Sequence, residues 1–304
     1  MSDTRGTVHS APMAVSDNVP QLAREARIRQ RQALIAAAGG VALLAAAAVQ
    51  ASGPQPKVSE LTVELLSYSR RGGLVIVGAL LNGIGLLLLA ATLVFLFSLT
   101  RARRPATSQG TQISAVVGGV LAAAGGIVYG VLIASKAHQF ASHGLQTYGQ
   151  ANALVSGGAL AGLQYAGLLG SLLLAIAFVL VSLSAMRVGL LTRFLGYLGI
   201  VAAAASILLI ESLPAEVIQI FWLLAFAYLA AGRWPGGDPP SWRTGQAEPW
   251  PSGAQLRAER EAARGEGRGR SGTGRQARQS EPEPVAAVAA ARAGTPKRKR
   301  KRRK

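Results

Sequence analysis

The 304-residue chain contains no cysteine. That removes disulfides, thiolate metal sites and cysteine nucleophiles together, and it leaves the redox compartment open. Histidine occurs three times, so an imidazole-based metal site has little to draw on. Lysine is scarce: six residues against 26 arginines, four of the six within the last eight positions. The most informative absence is of charge. Six apolar stretches, about 33–49, 74–96, 113–134, 160–183, 194–210 and 217–231, hold no Asp, Glu, Lys, Arg or His. Proton relays, voltage sensors and ion-coupled transporters usually place ionisable groups inside their bundles, and these stretches supply none. No GxSxG elbow, HExxH pair or P-loop occurs either. The reading is a non-enzymatic protein without a cofactor or metal.

What is present separates along the chain. Half of the residues are hydrophobic, yet the formal net charge is +18. The apolar residues occupy 33–232. From Arg233 onward the chain is Gly- and Pro-rich and carries 18 of the 32 Lys and Arg residues against 7 of the 14 acids. A hydrocarbon core of about 30 Å takes about 20 apolar residues as a helix. The expected fold class is therefore an all-α integral membrane protein of about six transmembrane helices with a disordered basic C-terminal tail. The last two stretches are short for full spans and read as a tight hairpin turning at "ESLPAE", with Pro214 in the first turn of the final helix.

Four divisions follow: a cytoplasmic N-terminal segment (1–32), the six-span bundle (33–232), a Trp/Pro-rich membrane-surface segment (233–252) and the tail (253–304). Arginines cluster before the first span in "REARIRQR", then in "TRARRPA" and "MRVGLLTR". The positive-inside rule puts those segments and both termini in the cytoplasm, with Arg70 and Arg71 as the opposing pair. A charged lead, an apolar run and "VQASG" also fit a signal peptide cleaved after Ala51, which leaves five spans.

Small residues recur at a spacing of four in the third and fourth spans: Gly118, Ala122, Gly126 and Gly130, then Gly158, Gly162, Ala166 and Gly170. Such ladders let helix backbones approach closely, within one chain or between two copies as a homo-oligomer. Polar residues inside the spans are few: Asn82, Ser114, Tyr129, Gln164, Tyr165, Ser171 and Gln219. They serve either as interhelical hydrogen-bond partners, the reading the sequence favours, or as a substrate site built on Asn82, Gln164 and Tyr165. Glu211 and Glu216 flank the hairpin, where they are solvated or attract a cation. His138 and His143 read as ordinary loop histidines.

Past the last span, Trp234, Trp242 and Trp250 recur every eight residues. Tryptophan favours the headgroup level, so they are expected to anchor this segment to the inner membrane surface. "MRVGLLTRFLGYLGI", the final span and "GRWPGGDPPSW…EPWPS" resemble a family of uncharacterised bacterial polytopic membrane proteins. The resemblance covers about residues 186–252 and implies a multi-pass plasma-membrane protein, with no functional residue attached. The chain ends in Lys297, Arg298, Lys299, Arg300, Lys301, Arg302, Arg303 and Lys304. Its expected partners are anionic lipid headgroups, each basic residue contributing about 1 kcal/mol, or RNA or DNA bound without sequence preference. The leading expectation for function is this polyanion-binding tail on a membrane bundle. The alternative is a small-solute transporter or channel.

Overall fold

Long runs of Leu, Ala, Val and Gly without charge satisfy their backbone groups only as helices in an apolar surround. The computed structural model describes residues 19–52, 60–208 and 213–250, with 255, 257, 258 and 261 beyond them. Every regular element among the described residues is helical. The elements are α1 (Val19–Ala51), α2 (Leu61–Arg70), α3 (Gly72–Arg103), α4 (Gln109–Ser142), α5 (Tyr148–Val155), α6 (Gly158–Arg187), α7 (Arg193–Leu208), α8 (Leu213–Ala230) and α9 (Pro240–Thr244). Four are long and apolar enough to cross a membrane: Ala26–Ala51, Gly72–Arg103, Gln109–Ser142 and Gly158–Arg187. Two further apolar helices, Arg193–Leu208 and Ala215–Ala230, are shorter. Pro214 falls in the first turn of α8. The N-terminal 18 residues and the octad 297–304 lie outside the described residues.

At about 1.5 Å per residue, the 34 residues of α4 extend roughly 51 Å. That exceeds a bilayer's hydrocarbon core, so its polar ends reach headgroup depth. Ser108 starts α4 by accepting from the Gly110 N–H through its hydroxyl, and Thr147 starts α5 by accepting from the Gln150 N–H. Both are N-caps that replace a missing helical acceptor.

The six long or apolar helices form a closed ring. α1 packs on α3, α3 on α4, α4 on α6, α6 on α7, α7 on α8, and α8 returns to α1, with α3 also touching α6 across the middle. Large apolar side chains such as Leu80, Ile84, Val116, Val120, Ile176 and Leu180 remain exposed on the outside, as a lipid-facing surface requires. Two connections read from sequence as loops contain the short helices α2 and α5. They close one end of the bundle, where Leu65 packs with Ile133, Phe140, Ala151 and Leu160. The opposite end carries residues 231–250, and the compact unit that includes the bundle ends at Trp250.

The glycine ladders distribute over several neighbours. A Cβ on Gly118 would sit 2.5 Å from the Leu174 backbone N, and one on Gly170 would run into the Ala122 N. These two glycines and Ala122 therefore bring α4 and α6 into backbone contact. Gly130 instead faces Ala79 of α3, Gly126 faces open space, and so do Gly158 and Gly162. Ala166 is half-buried. The cause is helical geometry: steps of four advance the direction about 40° each at 3.6 residues per turn, so a strict ladder winds off its first contact face. Gly125, seven residues after Gly118, keeps that face and lies 3.1 Å from the Gly167 backbone N by the same measure.

Candidate functional site

An open cavity of about 520 Å³ lies among α3, α4, α6, α7 and α8. Each helix supplies polar groups to its wall. α3 contributes Asn82, α4 Tyr129, α6 Gln164 and Ser171, α7 Ser206, and α8 Glu216 and Gln219. Five of the seven polar span residues noted in the sequence therefore meet in one place. Gln164 and Ser171 are exposed, while Asn82, Tyr129, Glu216 and Gln219 are half-buried. Gln219 Nε2 donates to Ser206 Oγ, and that hydroxyl donates to the Ala202 carbonyl at 2.7 Å. The pair fixes α7 against α8 and orients both side chains at the wall. No lysine, arginine or histidine lines the cavity among the described residues.

Ser206 and Glu216 border the α7–α8 turn, so the polar wall lies in the half of the bundle that carries α2 and α5. Toward the other half the lining turns apolar, with Leu89, Leu174 and Phe178. Phe178 meets Trp222 edge-on at 4.6 Å between centroids, and Trp222 stacks on Phe226 at 5.6 Å. The Trp222 N–H donates to the Leu195 carbonyl at 3.0 Å. This buried aromatic column separates the cavity from the far end.

The less favoured of the two sequence readings put Tyr165 beside Asn82 and Gln164 in a substrate site. Tyr165 is 72% exposed on the outside of α6, because successive helical residues point about 100° apart. Ser206 was missed. A signal for it exists: Ser206 and Gln219 are equidistant from the centre of the α7–α8 hairpin, which is the placement that lets two antiparallel helices pair side chains. Among the described residues no three His, Cys, Asp or Glu gather as a metal site. The His143 ring nitrogen Nδ1 meets the hydroxyl of its neighbour Ser142 at 2.7 Å.

The far end is built by arginine. Arg29 of α1 donates to the Ala230 carbonyl at 2.8 Å and the Leu229 carbonyl at 2.9 Å, at the C-terminus of α8. Both carbonyls belong to the last turn of α8 and carry the negative end of the helix dipole, and the Leu229 carbonyl also accepts from the Gly232 N–H at 2.9 Å. The same guanidinium pairs with both carboxylate oxygens of Asp238 and lies 4.8 Å over the Trp242 ring. The hydrogen bond from Arg29 holds the Asp238 carboxyl below the usual carboxylate range; partial burial opposes this, and the charges of Arg29 and Arg243 add to it. Arg103 of α3 donates to the Ser241 carbonyl at 3.1 Å.

Residues 231–250 thus form a strap across this end. The strap also bonds to the α6–α7 turn: Ser241 N–H donates to the Gly189 carbonyl at 3.4 Å and Glu248 N–H to the Val188 carbonyl at 3.2 Å. Gly189 has φ of 76°, and a Cβ there would collide with the Glu248 carbonyl oxygen, so only glycine permits the approach.

The tryptophans are part of this strap. Trp242 is 7% exposed, and its N–H donates to the Leu190 carbonyl at 2.8 Å. Its ring is enclosed by the protein, and a backbone carbonyl of the α6–α7 turn satisfies the indole N–H. Trp250 is half-buried and donates to the Leu191 carbonyl at 2.8 Å. Trp234 is half-buried against the core and, with Phe221 and Tyr228, lines a shallow surface hollow. Of the three, it is the one that reaches an apolar outer face.

No protein-family model matches this chain, and no curated protein or solved structure matches it either.

Proposed function

We propose that the chain is a six-span protein of the plasma membrane that takes up a small polar solute in its bundle, as a transporter or channel, with both termini in the cytoplasm. The carrying observation is the convergence of amide, hydroxyl and carboxylate groups from five helices on one cavity of about 520 Å³, within the roughly 300–1,000 Å³ typical of small-molecule sites. Hydrogen bonding between helices alone needs pairs of polar groups, not a shared wall around open space. Counting α7 and α8 as spans rests on their place in the ring. Their apolar helices of 16 and 18 residues cross as a hairpin where the bilayer adapts to short spans.

The orientation rests on charge. Arg27, Arg29, Arg31, Arg101, Arg103, Arg104, Arg187, Arg193, Arg233 and Arg243 lie at the strap end, against Arg70, Arg71 and Lys136 at the other. The strap end is then cytoplasmic, and the polar cavity belongs to the outer half. Reconstituted vesicles are expected to admit a small polar solute faster than protein-free vesicles. Asn82→Leu, which removes an amide from the cavity wall, should abolish that difference. Equal flux with and without the protein would rule the reading out.

A second reading concerns the C-terminal octad, favoured by its eight consecutive basic residues. Its eight cations bind anionic headgroups or nucleic acid electrostatically. Deleting Lys297–Lys304 should remove salt-sensitive co-purification of nucleic acid or binding to anionic vesicles. Unchanged binding to both would discard it.

A further inference from the structure

Independently of the solute cavity, we infer that the hollow on the outer face of α8 binds one anionic phospholipid, an acyl chain in the hollow and the phosphate at its strap end. Phe221, Leu224, Ala225 and Tyr228 recur at i, i+3, i+4 and i+7, which is one stripe of a helix, and Trp234 and Pro235 of the strap complete the wall. The stripe runs about 10 Å along the axis. No charged side chain lines it, so it suits a hydrocarbon chain. The C-terminus of α8 fixes the strap side of the wall. Gly232, at φ of 73°, turns the chain back. Its N–H donates to the Leu229 carbonyl at 2.9 Å, and the Arg233 N–H donates to the Tyr228 carbonyl at 3.3 Å. These are the two bonds of a Schellman turn, and they hold Arg233 and Trp234 next to Tyr228.

The polar groups at that end select the occupant. Of the four tryptophans, Trp222, Trp242 and Trp250 each donate the indole N–H to a backbone carbonyl. Trp234 is half-buried, and among the described residues its N–H meets no acceptor. An indole at the edge of an apolar face takes its acceptor from the headgroup layer. The exposed Tyr228 is likewise without a hydroxyl partner among the described residues. Arg233 is exposed and forms no ion pair among them, because the strap's Asp238 is already held by Arg29. One guanidinium, one N–H and one O–H beside an apolar stripe match a phosphate diester carrying a hydrocarbon chain. The unpaired positive charge favours a headgroup that is anionic over one that is zwitterionic.

The full-length chain is reconstituted into phosphatidylcholine vesicles with rising fractions of acyl-brominated phosphatidylglycerol or, separately, acyl-brominated phosphatidylcholine. Bromine quenches an indole it touches, so tryptophan emission reads contact with the acyl chain. Half-quenching is expected at a roughly fivefold lower fraction of the anionic lipid. Trp234→Phe should remove most of the quenchable emission with either lipid, which locates the signal at the hollow. Arg233→Gln should bring the two lipids to the same half-quenching fraction. Arg104→Gln makes the same charge change at the strap end of α3, whose neighbours in the ring are α1, α4 and α6, and should keep the preference. Equal half-quenching by the two lipids in the parent, or a preference that survives Arg233→Gln, would overturn the site. A preference lost equally in Arg104→Gln would overturn it in favour of general surface charge. Quenching that appears only on dilution of the protein in lipid would assign the hollow to a second copy of this chain instead.

Discussion

The same substitution at two glycines of one sequence ladder is expected to have opposite signs. Gly170→Ala places a methyl group against the Ala122 N and 2.8 Å from the Leu121 carbonyl carbon. Both are backbone atoms, so no side chain can rotate away, and α4 and α6 must separate. Overpacking costs about 1–3 kcal/mol where neighbours can adjust; here the loss should be at or above the upper end. Gly162→Ala meets nothing within 4 Å and gains up to about 1 kcal/mol of helix propensity. Thermal unfolding in detergent should therefore show Gly170→Ala melting roughly 10 °C lower and Gly162→Ala unchanged or slightly higher. Two equal decreases would mean that the α6 ladder acts as one contact face.

Arg29→Met should release the strap. It removes hydrogen bonds to two α8 carbonyls, the pair with Asp238 and the contact over Trp242, while Met keeps much of the apolar stem. The guanidinium is well buried, but the Asp238 side chain is 33% exposed, so solvent offsets part of the loss. A cost of about 2–3 kcal/mol is expected, read as faster proteolysis between Trp234 and Trp250 with the bundle intact. Acid should act in the same direction. The folded-state pKa of Asp238 is lowered, so its contribution is complete above the unfolded value of about 3.9 and falls away as pH drops through the folded value. Proteolysis of the strap should be level between pH 5 and 8 and rise only below about pH 4. Asp238→Asn should already cut faster at neutral pH. Equal cleavage rates for the parent and Arg29→Met would show that the tryptophans, Arg103 and the backbone bonds to the α6–α7 turn hold the strap without Arg29.

Parts of this architecture are legible in the sequence because they depend on composition. The four long apolar helices follow from runs without charge, and the glycine contact between α4 and α6 follows from small residues at helical spacing. What escaped depends on direction and distance. Tyr165 and Gln164 are adjacent in sequence and face different surroundings, and Gly126 leaves the α6 contact because steps of four rotate around the helix. The strap escaped because its bonds join residues far apart in sequence, from 52 positions between Trp242 and Leu190 to 209 between Arg29 and Asp238. The periodic tryptophans pointed to an interface; the carbonyls of Leu190 and Leu191, which accept two of their N–H groups, carry no sequence signal. Glu216 was visible as a hairpin acid, but only the ring of helices brings it to the wall that holds Asn82.

Because the chain lacks cysteine, a single introduced thiol reports without background. Gly126→Cys puts one at the cavity wall, and Leu80→Cys puts one on the outer apolar face of α3. Whole cells and inside-out vesicles are treated with a membrane-impermeant maleimide. The thiol at 126 should label from outside the cell and not from the cytoplasmic face, where the aromatic column and strap intervene, and the thiol at 80 should label from neither. Labelling of position 126 only from the cytoplasmic face, or from neither, would contradict a water-accessible cavity in the outer half of the bundle.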